Sequence, residues 1–551
     1  MTQHFDYDVI IIGSGFGGSV SALRLSEKGY KVGVMEMGRR WSPENMPSTN
    51  WKVWDFLWRP LLGLKGFFSL RFFRHVMVLH GNAVGGGSVT YANTLLVPPE
   101  SVWTDGSWRG LDDWQAVMPA HYATAKKMLG VNKNQRLAAA DHALKEMAEH
   151  QGRGDTFYTT DVGVFFGDAG DTSGGKRYPD PYFNGAGPER HSCIGCGSCM
   201  TGCVHNAKNS LDKNYLYLAE AKGTKVHEQT RVNDVRPFNN SNGKDGYEVF
   251  TQHGTALFSK QRKRFTAKKI IFAASSLGTQ ELLFKLKQSG AMPNISDELG
   301  NRVRTNAESL LALRFPGGED MSKGVAIGSG FYLDEFTHIE ATRYGKGHDL
   351  LSVLFTPLTL GTPGIGRIFL WFFTLLGSLL RHPIKTLRGC NPFGFAKQTI
   401  IFLCMQTVEG HLNMRYRRPW YWPFSKVLQT EGEPIPSFIP AANKFVVDSA
   451  KQLNGVGASM VSELFFNIPT TAHCMGGCGM GSSAQTGVID SQNRLFGYDN
   501  AYVCDGSMLG ANLGVNPSLT ITALAERAMT FIPAKDAISA VNEPTNIEEK
   551  V

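Results

Sequence analysis

Apolar residues run almost unbroken through Tyr7–Ile12 (YDVIII), the pattern of a strand buried on both faces of a parallel sheet. The period then changes. Residues 19–29 (SVSALRLSEKG) space their apolar side chains as a helix does, and residues 31–35 form a second short apolar strand that ends at Glu36. Near the other end, residues 504–529 (CDGSMLGANLGVNPSLTITALAERAM) pass from a glycine-rich approach into an apolar helix. Asn516 is the expected N-cap there and Pro517 the first helical residue, since Asn accepts from free N–H groups and Pro is preset for a first turn. Such a helix start, with free N–H donors and a positive dipole end, is a place to hold negative charge.

Between these ends the pattern is coarser. Residues 134–150 read as an amphipathic helix, 239–247 as a hairpin turn, and 337–341 (THIEA) as a strand with His338 and Glu340 on one face. The basic run at 260–269 (KQRKRFTAKK) reads as a solvated turn between strands, and 533–551 as a loosely ordered polar tail. Two stretches mix aromatics with basic residues: 51–73, and 368–380 flanked by Arg367 and Arg381, with 417–424 (RRPWYWPF) as a further rim. Neither holds ~20 continuous apolar residues, so neither is expected to cross a membrane. Interfacial docking and a core helix or lid are equally good readings of both. No internal repeat is present.

A chain of 551 residues with 42% apolar content is too long for one small domain and rich enough for large cores. Its net charge of +8 is modest for that length, compatible with an anionic membrane surface but not an argument for nucleic acid as a partner. Residues 1–7 lead straight into the first strand without a targeting pattern, so a cytoplasmic protein with reduced thiols is expected.

The turn between the first strand and helix is Gly13-Ser14-Gly15-Phe16-Gly17-Gly18. Strand, GxGxxG, helix, strand and acid occur in the order of a dinucleotide-binding unit. Gly13 permits the tight turn, Gly15 lets a pyrophosphate approach, Gly18 lets the helix pack on the strand, and Glu36 accepts from the adenosine ribose. This motif alone does not choose FAD over NAD. A second glycine run, Gly85-Gly86-Gly87 before Ser88 and Asn93, fits one long ligand crossing both segments.

Six segments together resemble the glucose–methanol–choline (GMC) family of flavoproteins and, within it, the bacterial cholesterol-oxidase branch. They are GSGFGG with Glu36, VGGGSVTYAN, KNSLDKNYL, AASSLGTQELL, HCMGGCGMG and DGSMLGANLGVNPSLTITALAER, spread from the first strand almost to the C-terminus. The resemblance implies an α/β fold with non-covalently bound FAD. Its Rossmann-like FAD domain would be built from 1–50, 76–110, 190–310 and 465–535. A substrate domain with a mostly antiparallel sheet and lid segments would come from 51–75, 111–189 and 311–464, leaving 536–551 as tail. By motif, His473 matches the active-site histidine and Asn516 its partner. Asp505 and Gly506 match the segment beside the flavin and its phosphates, and Val232 the backbone contact near adenine. Gly86, Gly87, Ser88, Asn93, Pro517 and Ser518 are the remaining cofactor contacts. Glu340 falls near the carboxylate that moves a double bond after oxidation, although a structural glutamate is an equal reading.

The implied reaction oxidises a hydroxyl of a sterol, or another bulky lipophilic alcohol, to the ketone. A histidine takes the hydroxyl proton while hydride leaves carbon for flavin N5. A long-chain alcohol dehydrogenase, a non-redox lyase and a non-catalytic electron carrier are the rival readings.

Cys193-x2-Cys196-x2-Cys199-x3-Cys203 departs from the simple members of this branch. It has the spacing of bacterial ferredoxin ligands, with Val204 in place of the usual Pro. Four thiols so close suit an iron–sulfur cluster or zinc, with Cys474 or Cys478 as alternative ligands, or they are unligated reduced thiols. With a cluster, electrons would leave through it to a redox carrier. Without one, O2 is the expected acceptor.

Overall fold

The computed structural model describes residues 4–256, 261–420 and 423–536. Its first sheet grows around the unbroken apolar strand. Tyr7–Ile12 pairs in parallel with Val32–Met35 on one side and Lys263–Phe272 on the other, with Val9 opposite both Val32 and Lys269. Lys225–His227 extends one edge in parallel, and Ala501–Val503 pairs in parallel with Ile270, Ile271 and Phe272. The outer half of Lys263–Phe272 carries the antiparallel hairpin of Thr230–Pro237 and Tyr247–His253.

Lys263–Phe272 corrects the reading of the basic run as a turn. From Lys263 onward the run is strand, with Lys263, Arg264 and Lys268 exposed, while Ile270–Phe272 are buried. Residue 260 lies outside the described residues. The hairpin turn at 239–247 is present, joining Thr230–Pro237 to Tyr247–His253.

Two glycines set how tightly this layer closes. Gly13 has φ of 103°, and a Cβ there would stand 2.2 Å from the Ala273 carbonyl oxygen. Gly17, in the helix Phe16–Glu27, faces the Cys504 carbonyl so closely that a Cβ would stand 1.8 Å from it. Helix Ser518–Thr530 packs on Phe16–Glu27 and on Trp114–Met128, and the Cys504 N–H donates to Phe272 O at 2.9 Å. The two ends of the chain therefore interlock.

The second sheet has seven strands, every neighbouring pair antiparallel. In order they are Phe355–Pro357, Val456–Met460, Ser309–Arg314, Thr399–Gln406, Thr337–Thr342, Ile327–Tyr332 and Tyr158–Thr159. Alternation along these strands separates two faces. Leu311, Leu313, Ile339, Ala341, Phe402 and Cys404 pack under the helices Ala139–His150 and Pro440–Gln452. The opposite face carries Leu310, Thr342 and Leu403 and lines the large cavity between the two sheets. The amphipathic helix expected from residue 134 starts at Ala139, because Asn134 instead spends its amide on Gly328 O at 2.9 Å.

The aromatic stretches differ from each other. Residues 51–73 form a short helix, Val53–Phe56, followed by strands that include Phe68–Phe72, with Trp54, Leu61, Leu62 and Phe72 exposed. Ile365–Arg381 is a 17-residue helix whose apolar side chains, among them Phe369, Phe373 and Leu380, face solvent. Arg367 is not part of a basic rim. It is buried and pairs with Glu463 at 2.7 Å. Among the described residues no helix is long and apolar enough to cross a membrane. The expected tail beyond residue 536 lies outside the described residues.

Candidate active site

The cavity between the sheets measures about 750 Å³ and is lined at one end by residues 13–17, Glu36 and Val232. Glu36 is fixed there: its Oε2 accepts from the Ser14 N–H at 3.0 Å and the Ser14 hydroxyl at 2.7 Å, and its Oε1 from the Gly38 N–H at 2.8 Å. Burial raises the pKa of this carboxyl, against the pull of those donors. A Cβ at Gly15 or Gly87 would meet no protein atom within 4 Å, so at both positions bare backbone borders open cavity. That is the cradle a pyrophosphate needs.

Further along, Gly86, Asp505, Gly506, Pro517 and Ser518 line the same cavity. Asp505 is held by the Ser507 N–H at 2.8 Å and the Thr279 hydroxyl at 2.5 Å, and burial raises its pKa. Three expected cofactor contacts sit elsewhere. Gly18 packs against Gly13, where a Cβ would stand 2.2 Å from the Gly13 carbonyl, in keeping with the helix-packing role. Ser88 is turned into the protein, donating to Gly85 O at 2.7 Å and accepting from the Leu211 N–H at 3.0 Å. Asn93, fully buried with φ of 72°, faces the Cys199 sulfur rather than the cavity.

At the other end of the cavity His473 and Asn516 meet, with Asn516 Nδ2 3.5 Å from His473 Nε2. The helix begins at Ser518, Pro517 takes the N-cap position, and no side chain caps it. Asn516 is thus not an N-cap. Its Nδ2 donates instead toward Glu340 Oε2 at 3.3 Å. Glu340 lies on Thr337–Thr342, on the same strand face as Thr342, and has no exposed surface of its own. It reaches the site through Asn516. Burial pushes the Glu340 carboxyl up to about 7, against the Asn516 hydrogen bond and the nearby His473. His338, two residues earlier, bonds instead to the Tyr158 hydroxyl at 2.6 Å, and burial lowers its pKa to about 4.

Two residues that complete this corner carry no sequence signal. Glu308 lines the cavity and accepts from His473 Nδ1 at 2.6 Å. The Thr471 hydroxyl, itself accepting from the His473 N–H at 2.8 Å, donates to the same Glu308 oxygen at 3.0 Å. Burial opposes charge on His473, yet Glu308, with Glu340 beyond it, holds its pKa above the ordinary histidine value. Asn306 is the other. It accepts from the Leu513 and Gly514 N–H groups at 3.2 and 3.3 Å and donates to Val515 O at 2.8 Å, fixing the loop that delivers Asn516.

With Glu308 accepting from the Nδ1–H, Nε2 keeps a lone pair that faces the Asn516 amide and the cavity. Glu308 Oε2, Glu340 Oε1 and Asn516 Oδ1 are buried without a protein partner. This is a proton-accepting site with spare acceptors, next to a dinucleotide cradle.

The four cysteines occupy a separate small cavity lined by Cys193, Cys196, Cys199 and Cys203 together with Lys208. Cys474 lines the large cavity and Cys478 is buried in the core beside Ser507, so neither of these alternatives joins them. Every cysteine is a free thiol. Among the described residues no three His, Cys, Asp or Glu side chains are placed to hold one metal ion.

Family models described as GMC oxidoreductase match residues 188–305 and 439–525. A cholesterol oxidase of Acinetobacter baumannii is 59% identical over 97% of this chain and 96% of its own length. A cholesterol oxidase of Mycobacterium tuberculosis is 45% identical over 96% of this chain and 92% of its own. Among solved structures, pyridoxine 4-oxidase from Mesorbium loti superimposes with a TM-score of 0.59 at 14% identity, covering 95% of this chain and 98% of that one, a likeness of fold. The cradle, the open glycine backbone and the unpartnered acceptors fit FAD, the cofactor of that family. At this level of identity over nearly the whole length, the chain belongs to the FAD-dependent GMC oxidoreductases.

Proposed function

We propose that this enzyme oxidises the hydroxyl of a sterol, or of a similarly bulky lipophilic alcohol, to the ketone and then shifts a neighbouring double bond. The observation that carries the reading is the pairing of His473 with Asn516 at the end of the cavity away from the cradle, which is also its apolar end. Leu310, Ile327, Leu354, Phe355, Leu403 and Met460 line that apolar end, a wall suited to a rigid hydrocarbon body. Both cholesterol oxidases above support the same substrate class.

Glu36, the Gly13–Gly15 turn, Gly86, Gly87 and the 505–506 segment would hold FAD, which would supply the two-electron acceptor. His473 Nε2 takes the hydroxyl proton, and Glu308 steadies the imidazolium that results. Asn516 holds the alcohol oxygen without acquiring charge. Glu340, whose carboxyl titrates near neutrality, moves the proton that relocates the double bond. The exposed apolar face of Ile365–Arg381, with Phe369 and Phe373, docks on a lipid surface from which such a substrate enters.

Anaerobic addition of cholesterol in detergent micelles tests the reaction. Loss of the oxidised-flavin absorbance is expected. A flavin that stays oxidised with sterols but bleaches with long-chain primary alcohols points to the dehydrogenase reading, and one that stays oxidised with every alcohol rejects oxidation altogether. For docking, Phe369→Glu with Phe373→Glu should cut co-sedimentation with lipid vesicles while flavin reduction by micellar substrate is retained.

A further inference from the structure

None of the four cysteines lines the large cavity, yet the chain around them is built with care. The loop 193–203 takes left-handed turns at Gly195, Gly197 and Gly202, with φ of 66°, 73° and 98°. Those turns aim backbone donors at sulfur: the Gly195 N–H donates to Cys193 Sγ at 3.3 Å, and the Ala207 N–H to Cys203 Sγ at 3.4 Å. The loop is also clamped to the second domain. Gly197 N–H donates to Gly324 O at 2.9 Å, and Gly324 N–H returns a bond to Gly195 O at 2.8 Å.

Charge points the same way. Arg190 and Lys208 are 1% and 2% exposed, and among the described residues neither forms an ion pair with a carboxylate. Arg190 donates to Asn206 O, Asn209 Oδ1 and Lys208 O at 3.0, 2.6 and 2.7 Å. The Lys208 ammonium donates to Val89 O, Tyr91 O and Cys199 O at 2.9, 2.9 and 2.8 Å. Two buried basic groups whose hydrogen-bond acceptors are all neutral are costly to keep charged, and an anion beside them lowers that cost. Asn93 adds a third sign: it is fully buried, and its amide meets the Cys199 sulfur but no protein nitrogen or oxygen.

The cysteines line one cavity but do not converge on one ion position, which argues against a single tetrahedral zinc. In a cubane cluster each thiolate binds its own iron, the four sulfurs stand well apart, and the whole group is negatively charged. The spacing C-x2-C-x2-C-x3-C matches that ligand set.

We propose that Cys193, Cys196, Cys199 and Cys203 ligate a 4Fe–4S cluster, with Arg190 and Lys208 as its buried counter-charges. Met200, the residue after Cys199, lines the large cavity, so a single residue separates the cluster from the flavin chamber. The site stands whatever alcohol the enzyme oxidises.

The test uses full-length protein purified anaerobically, then reconstituted with ferrous iron and sulfide under thiol. About four iron and four acid-labile sulfide per chain are expected, with an electron paramagnetic resonance signal after dithionite reduction. Cys196→Ser and Cys203→Ser should each lose that signal and most of the iron while keeping FAD, whereas Cys390→Ser, at an exposed thiol, keeps both. Stoichiometric zinc, or neither iron nor sulfide after reconstitution, overturns the proposal. So does iron that survives both serine variants.

Discussion

The two ends of the large cavity are built on opposite principles. At the nucleotide end most of the cradle is local: the strand, the glycine turn, the helix and the acid follow one another within residues 7–36, and Gly87 and Val232 complete it. At the catalytic end Glu308, Glu340, His473 and Asn516 come from four distant segments and touch only because both sheets and the interlocked C-terminus are in place. A binding surface made of backbone can be local. A proton relay made of side chains needs tertiary structure to set its distances.

If that contrast is right, substitutions at the two ends separate chemistry from binding. The largest effect is expected from His473→Ala, which removes the proton acceptor. Anaerobic flavin reduction should slow by about 10²–10⁴-fold with FAD content unchanged, and an unchanged rate would reject the assignment. Next is Glu340→Gln, in which oxidation continues but the product stays an unconjugated ketone, followed by the absence of the enone ultraviolet band. Conjugated product from that variant, but not from Glu308→Gln, would transfer the role to Glu308. In the wild type, conjugation should rise with pH through about 7 as the Glu340 carboxylate forms.

The cradle offers a sharper pair. Gly15→Ala meets no protein atom, so the apoprotein should melt normally while FAD binds about tenfold or more weakly. Gly13→Ala strikes the Ala273 carbonyl at positive φ and should destabilise the fold itself, by about 1–3 kcal/mol from backbone conformation alone. Equal behaviour of the two variants would mean that Gly15 does not border the ligand.

Subtler still is Glu308→Gln. Burial already disfavours charge on His473, and losing Glu308 removes the main influence raising its pKa, so the acid limb of the kcat/KM profile should move to lower pH. Smallest is a stability effect. The folded pKa of Glu340, about 7, stands above its ordinary 4.5, so its protonated form favours the native state. That contribution is complete below pH 4.5 and lost as pH rises to about 7. The melting-temperature difference between wild type and Glu340→Gln should change across that window and be flat above it.

Much of the fold was legible because its signals are periodic or local: YDVIII, the glycine turn and the Asn-Pro helix start needed only neighbours along the chain. The same local logic misread Asn516 as a cap, since nothing nearby reveals that Asn306, 210 residues earlier, holds its loop. Glu308 was invisible for a related reason. Asn306 and Ala307 both adopt positive φ, 60° and 46°, a conformation Ala rarely takes and that only tertiary contacts impose. The basic run at 260–269 read as a solvated turn, but from Lys263 it is a strand that exposes Lys263, Arg264 and Lys268 and buries Ala267.

The interlocked chain ends also govern how the protein is made. Tyr7–Ile12 and Phe16–Glu27 leave the ribosome long before Cys504 and helix Ser518–Thr530, which close over Gly17. At about 5–20 residues per second, the first strand and helix wait roughly 25–100 s for the partners that complete their layer. Throughout that time an apolar strand lacks its final cover, and the cavity that would take FAD lacks Asp505, Gly506, Pro517 and Ser518 from its wall.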